Sequence, residues 1–287
     1  MNLYAGQFGG PNGIYGRDYV YPGNSTIDYY AGKGMDVIRI PFDWERVQRT
    51  ENGPLNATEL GRIDAIVDHA RSLGVKVVLD PHNYGYAYGG LIGTTVSNAS
   101  FADFWSKLAG HYKDASNVVF GLMNEPHDQS AAQWVVSANA AVAAIRDTGA
   151  TQMILVPGSY WSGAYSWVSG VPDRPNSDDN DTVVGQGVVD PLNNYAFDVH
   201  TYFDGNNAGL GNTVSATIGV DKLKEITAWA EATGHKLFAG EFGTDTSELS
   251  QKALDNMLAY MDEHPVWIGG TYWAGGPWIG SYKFSVE

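Results

Sequence analysis

Two glutamates carry the strongest chemical signal in this 287-residue chain. Glu125 stands in Asn124-Glu125-Pro126 and Glu241 in Glu241-Phe242-Gly243, and each follows directly on a short apolar run. Two carboxylates facing one another supply what acetal cleavage needs: one protonates the departing oxygen, and the other attacks or activates water. Either glutamate alone reads equally well as half of a buried ion pair. Their company favours the catalytic reading, because four more apolar runs end in polar or aromatic groups. These are Arg39-Ile40-Pro41, Asp80-Pro81-His82-Asn83-Tyr84, His200-Thr201-Tyr202 and Trp273. Rival chemistries leave no trace. There is no Cys, no Gly-x-Ser-x-Gly elbow and no His-Glu-x-x-His pair, and the seven His show no close ligand spacing. No metal and no cofactor is expected.

The elements that must position these groups are legible from periodicity. Apolar runs at Asp36–Pro41, Lys76–Asp80, Val118–Met123, Met153–Val156, Phe197–His200, Lys236–Gly240 and Trp267–Trp273 read as buried strands, and Leu3–Gly6 as a first strand, making eight. Helical stripes lie between them: Leu60 to Leu73, Phe101 to Leu108 behind Ser100, Val135–Ile145, Val220–Ala230, Ala253 to Met261 behind Asp245 or Thr246, and a shorter Ile27–Lys33. Strands alternating with helices predict parallel βαβ units, and eight of them predict a closed (β/α)8 TIM barrel of the α/β class. An open doubly wound sheet is less supported, since no Gly-x-Gly-x-x-Gly follows any strand. No linker divides the chain, so residues 1–287 read as one domain. The barrel starts inside its first strand and stops soon after its eighth, so the final helix is expected to be missing. In such a barrel the chemistry gathers at the C-terminal strand ends. The long stretch from Pro157 to Asn194 is a loop on that face, and its acidic run Asp178-Asp179-Asn180-Asp181 reads as solvated, with a Ca²⁺ site as the alternative.

Composition narrows the partner. With 17 basic and 32 acidic residues the net charge is −15, which repels phosphate backbones and anionic lipid. No apolar run reaches membrane-spanning length. Charged residues make up only 17% while aromatics reach 13%, a surface suited to an uncharged, flat-faced partner such as a neutral sugar chain. An aromatic-rich core explains the same figures.

The ordered set Arg39-Ile40-Pro41, His82-Asn83, Asn124-Glu125-Pro126, His200-Thr201-Tyr202, Glu241-Phe242-Gly243 and Trp273 resembles the family 5 glycoside hydrolases, and among them the endo-β-1,4-glucanases. The resemblance spans nearly the whole chain. It implies retaining hydrolysis of internal β-glucan bonds, with Glu125 as acid/base, Glu241 as nucleophile, and Arg39, His82, Asn124, His200, Tyr202 and Trp273 in support. It also implies a cis peptide at Trp273–Ala274.

On that reading Glu241 must stay ionised, and Arg39 and Tyr202 are the donors at hand. Glu125 must stay protonated, which partial burial and a neighbouring negative charge would favour. Asn124 suits the sugar 2-hydroxyl. His200 could hold Glu125 or the leaving group, and His82 a sugar hydroxyl, each equally a supporting residue. Tyr84, Tyr86, Tyr88, Trp161 and Trp278 are cleft candidates, Trp273 a floor for the sugar. A β-mannanase, a xyloglucanase and a non-catalytic polysaccharide-binding barrel share these features. A secreted monomer is expected. The start Met1-Asn2-Leu3 carries no leader, which leaves an intracellular oligosaccharidase open. The sequons at Asn24, Asn56, Asn98 and Asn180 matter only in a eukaryotic secretory host.

Overall fold

The computed structural model describes residues 1–4, 6–170 and 180–286. In chain order the elements are α1 (Asn24–Gly32), β1 (Val37–Phe42), a short α2 (Trp44–Val47), α3 (Ala57–Ser72), β2 (Lys76–Pro81), a small hairpin β3 (Tyr86–Ala87) and β4 (Gly90–Leu91), α4 (Asn98–Tyr112), β5 (Val118–Gly121), α5 (Ala131–Asp147), β6 (Ile154–Pro157), α6 (Asn180–Gly187), β7 (Tyr195–Tyr202), α7 (Ile218–Thr233), β8 (Leu237–Gly243), α8 (Glu248–Glu263) and β9 (Trp267–Tyr272). Seven strands pair in parallel in the order β1-β2-β5-β6-β7-β8-β9.

The expected first strand is reduced to isolated bridges. Asn2 bridges to Arg39 and Leu3 to Gly275, so the chain start slots between the first and last strands and closes the (β/α)8 barrel. No helix follows β9 among the described residues. Among the described residues, no helix is long and apolar enough to cross a membrane.

Strand residues alternate between the helix layer and the barrel interior. Ile38 and Ile40 join the large cluster beneath the helices. Val78, Val119, Leu155, Ala196 and Phe238 form a separate apolar cluster inside the barrel. Two residues further along the same faces stand Asp80 and Asp198. The interior therefore turns charged towards the C-terminal strand ends, above an apolar plug.

Helix starts are where the sequence reading slips by a few residues. Helix α4 is capped by Ser97, not Ser100, and α8 by Ser247, not Asp245 or Thr246. In each case the serine oxygen accepts the backbone N–H three residues on, the bond that an N-cap makes. The stretch after β6 holds two 3-10 turns and α6 rather than a plain loop. Of the acidic run, Asp178 and Asp179 lie outside the described residues. Asn180 is buried, and its amide oxygen takes the Ser159 N–H at 2.9 Å.

Candidate active site

The C-terminal strand ends open into a cleft of about 730 Å³, whose walls include His82, Glu125, His200, Tyr202, Glu241 and Trp273. Arg39 and Asn124 lie beneath it, each about 1% exposed. All eight residues singled out from the sequence therefore meet in one place. A carboxylate oxygen of Glu125, one of Glu241 and a ring nitrogen of His200 lie within 4.8 Å of one another.

The two glutamates have unlike surroundings. Glu241 is held by the Arg39 guanidinium, which donates to its Oε1 at 2.7 Å, and by the Tyr202 hydroxyl, which donates to its Oε2 at 2.8 Å. Glu125 shares a 2.7 Å contact between its Oε1 and Nδ1 of His200. That same Nδ1 is 3.7 Å from Glu241.

The proton preferences follow. Burial raises Glu125, and the negative charge of Glu241 adds to this against the opposing pull of His200, so Glu125 stands above the ordinary carboxylate value. Burial pushes Glu241 upward too. The positive charges of His200, Arg39 and His82 and the Tyr202 hydrogen bond outweigh it, leaving Glu241 below that value. Burial alone would discharge His200, yet Glu241, Asp198 and Glu125 raise its pKa to about 10. Two carboxylates within one site are thus held with opposite proton affinities. Glu125, His200 and Glu241 could also grip a metal ion. The Arg39 charge on Glu241 and the proton on His200 both oppose a cation there.

Three supporting residues were given no role in the sequence reading, Asp80 being quoted there only as the first of its strand-end group. Asp80 accepts from His82 Nδ1 at 2.7 Å and pairs with Arg39 at 3.2 Å. Asp198 lies under His200, its Oδ1 3.9 Å from Nε2, and neither of these buried atoms makes a hydrogen bond in the structure. A signal was present: Asp80-Pro81-His82 and Asp198-Val199-His200 repeat Asp-x-His at two strand ends. A strand's period of two puts the carboxylate and the imidazole of each motif on one face. Asn2 is the third. Its Oδ1 accepts from Arg39 at 2.9 Å, while its Nδ2 donates to the carbonyls of Gly240 and Thr271. It stands one residue ahead of the expected strand Leu3–Gly6, and nothing in the sequence marked it.

Arg39 also donates to Asn124 Oδ1 at 2.8 Å, which fixes the orientation of that amide. Asn124 Nδ2 is left buried without a partner. An unspent donor of this kind costs roughly 1–3 kcal/mol until something accepts from it.

The aromatic candidates divide. Trp273 stacks on His82 at 5.5 Å and meets Tyr4 edge-on at 5.7 Å, and its peptide to Ala274 is cis. Tyr84 and Trp161 line the cleft. Tyr86 instead donates to Asp128 near the rim, and Tyr88 turns inward to pack on Trp44 and donate to the Gln48 carbonyl. Trp278 is 40% exposed and is not a wall residue of the cleft. Tyr160, Tyr165 and Tyr282 also line the cleft without having been singled out. Backbone strain gathers here as well. Tyr84, Glu125, Tyr160, Trp161 and Asn207 all line the cleft with positive φ. Each costs on the order of 1–3 kcal/mol, and such conformations persist where function needs the geometry.

Known proteins resemble this chain over most of its length. Residues 2–277 match the model of a family described as Cellulase (glycosyl hydrolase family 5). A probable endo-beta-1,4-glucanase B of Neosartorya fischeri is 35% identical over 279 residues, 96% of this chain and 80% of that protein. Endo-beta-1,4-glucanase B of Aspergillus niger is 34% identical with the same coverage. Among solved structures, XacCel5A in complex with cellopentaose superposes with TM-score 0.95 at 40% identity, covering 100% of this chain and 92% of the other. Pseudomonas stutzeri endoglucanase Cel5A in complex with cellobiose gives 0.90 at 34% identity, covering 100% and 86%.

Proposed function

The chain belongs to glycosyl hydrolase family 5, and from that membership and the geometry of its carboxylate pair we propose that it is a retaining endo-β-1,4-glucanase. The observation that carries this is the pair itself: Glu125 and Glu241 offer oxygens within 4.8 Å of each other, one raised and one lowered in proton affinity. Retaining enzymes set their carboxyls roughly 5–5.5 Å apart, whereas inverting ones leave about 6.5–9.5 Å for a water.

In the proposed reaction Glu125 gives its proton to the glycosidic oxygen while Glu241 attacks the anomeric carbon, breaking the C–O bond and forming a glycosyl ester. Glu125, now a base, takes a proton from water, and the oxygen of that water displaces Glu241. Arg39 and Tyr202 keep the nucleophile ionised. The free N–H of Asn124 would donate to the sugar 2-hydroxyl, a bond that strengthens in the oxocarbenium-like transition state. Trp273, backed by His82, forms the floor for the sugar being cleaved.

Residues 1–287 act in this reading as one catalytic domain, which supplies every group named. The substrate is an extracellular β-glucan. This is supported by the relatives named as endo-β-1,4-glucanases and by the neighbour solved with cellopentaose. Carboxymethyl-cellulose, mannan and xylan should be digested in parallel. Fast viscosity loss on carboxymethyl-cellulose with β-configured new ends, seen by proton NMR before mutarotation, is expected. Faster mannan cleavage would overturn the substrate, and initial α ends the retaining mechanism.

A further inference from the structure

Where the chain leaves β6, three consecutive residues that are not glycine adopt left-handed backbone: Tyr160 (φ 58°), Trp161 (φ 56°) and Ser162 (φ 55°). L-residues visit this region singly, not in runs, so the neighbours must enforce it. Ser162 supplies the fastening. It is fully buried, its Oγ accepts the Gly158 N–H at 2.9 Å, and it donates to the carbonyl of Asp198. The β6–β7 ladder ends at Pro157 opposite Asp198. The hydroxyl thus bridges the donor and the acceptor left over where the strands part.

The turn is tied to both members of the Glu125–His200 contact. Trp161 N–H donates to the carbonyl of Pro126, the residue after Glu125, at 3.1 Å. Gly163 forms a parallel bridge with His200 itself. The Trp161 ring packs 4.6 Å from His127, two residues past Glu125, and lines the cleft.

We propose that Ser162 is a positioning residue for the proton-transfer side of the site: by locking the left-handed turn it sets where Glu125 and His200 sit and presents Trp161 to the sugar that leaves. This rests on Glu125 being the acid. Loss of the hydroxyl frees the turn to relax towards right-handed backbone, shifting the Pro126 and His200 attachments together. Cleavage that needs a well-aimed proton then suffers, while attack by Glu241 does not.

The test compares kcat/KM on cellotetraose with that on 2,4-dinitrophenyl β-cellobioside, whose leaving group needs neither proton nor sugar contacts. Ser162→Ala is expected to lose about 10- to 100-fold on cellotetraose, the scale of a misplaced catalytic group, and less than about threefold on the aryl glycoside. Ser162→Gly accepts positive φ without strain, so it keeps the turn partly formed, folds where the alanine variant does not, and loses less on cellotetraose than Ser162→Ala. Equal losses on both substrates, or none on cellotetraose, overturn the proposal. Glu125→Ala is measured alongside. If it is selective for cellotetraose while Ser162→Ala is not, the turn's role alone fails. If Glu125→Ala loses both substrates alike, the acid assignment fails and the proposal with it.

Discussion

Replacing Tyr202 by Phe exchanges one hydroxyl for a hydrogen and changes little else. The ring stays stacked on Phe284, with centroids 5.9 Å apart, so packing is kept. What goes is the 2.8 Å bond to Glu241 Oε2. Glu241 retains Arg39 on its other oxygen at 2.7 Å and His200 at 3.7 Å. A hydrogen bond to a charged group contributes about 1.5–3 kcal/mol. That bond favours the carboxylate over the acid, so its loss makes Glu241 hold a proton more tightly. At about 1.4 kcal/mol per pH unit, the acidic limb of kcat/KM is expected to rise by roughly one to two pH units. The alkaline limb, set by loss of the Glu125 proton, should move little. Stability changes with the same sign. A carboxylate lowered on folding adds stability above its ordinary value of 4.5, and that gain fades as pH falls through the folded value. The variant should therefore be less stable at neutral pH, with the gap narrowing in acid. The pH profile on cellopentaose from about pH 3 to 9 reads the limbs. An acidic limb that stays put, or moves down, would refute the idea that Tyr202 holds the nucleophile ionised.

Asp80→Asn should lower the melting temperature by roughly 5–8 °C, because Arg39 and His82 lose a buried counter-charge worth about 3–5 kcal/mol; an unchanged melt would contradict that pairing. Gly240→Ala should destabilise by more than about 1–3 kcal/mol in urea unfolding, since its methyl would sit 1.9 Å from Asp198 Oδ1; near-neutrality would mean that Asp198 lies elsewhere. The His200 pKa, raised from 6.5 to about 10, adds stability fully present below pH 6.5 and lost as pH rises towards 10. The unfolding free energy should therefore fall over that range in the parent and stay flatter in His200→Phe, and parallel curves would count against a charged His200.

The strands were legible because a parallel barrel buries both faces of each, giving continuous Val, Ile and Leu runs such as Lys76–Asp80 that no surface element imitates. The polar groups closing those runs marked the cleft for the same reason: each interrupts an apolar run where no packing demand explains it. Closure by Asn2 and Leu3 was not legible as bridges, because two residues carry no periodicity. Helix starts slipped at Ser97 and Ser247 because several capping residues stand in a row and only backbone geometry selects among them. The second rank of the site was missed. Asp80 and Asp198 sit inside strands, where a carboxylate reads as the end of an apolar run rather than as the partner of the imidazole two residues on. The left-handed turn at Tyr160–Ser162 has no sequence mark, since none of its residues is a glycine.

The central claim is that Glu241 attacks and Glu125 delivers the proton. Chemical rescue with azide on an activated β-cellobioside tests it directly. Glu241→Gly opens a space on the face opposite the leaving group. Azide entering there should give the α-cellobiosyl azide. Glu125→Ala still forms the ester on Glu241 when the leaving group needs no proton, and azide arriving from the other face should give the β-azide. The account expects these opposite anomers from the two variants. Swapped anomers would reverse the two roles, and full unrescued activity in either variant would remove that glutamate from the mechanism.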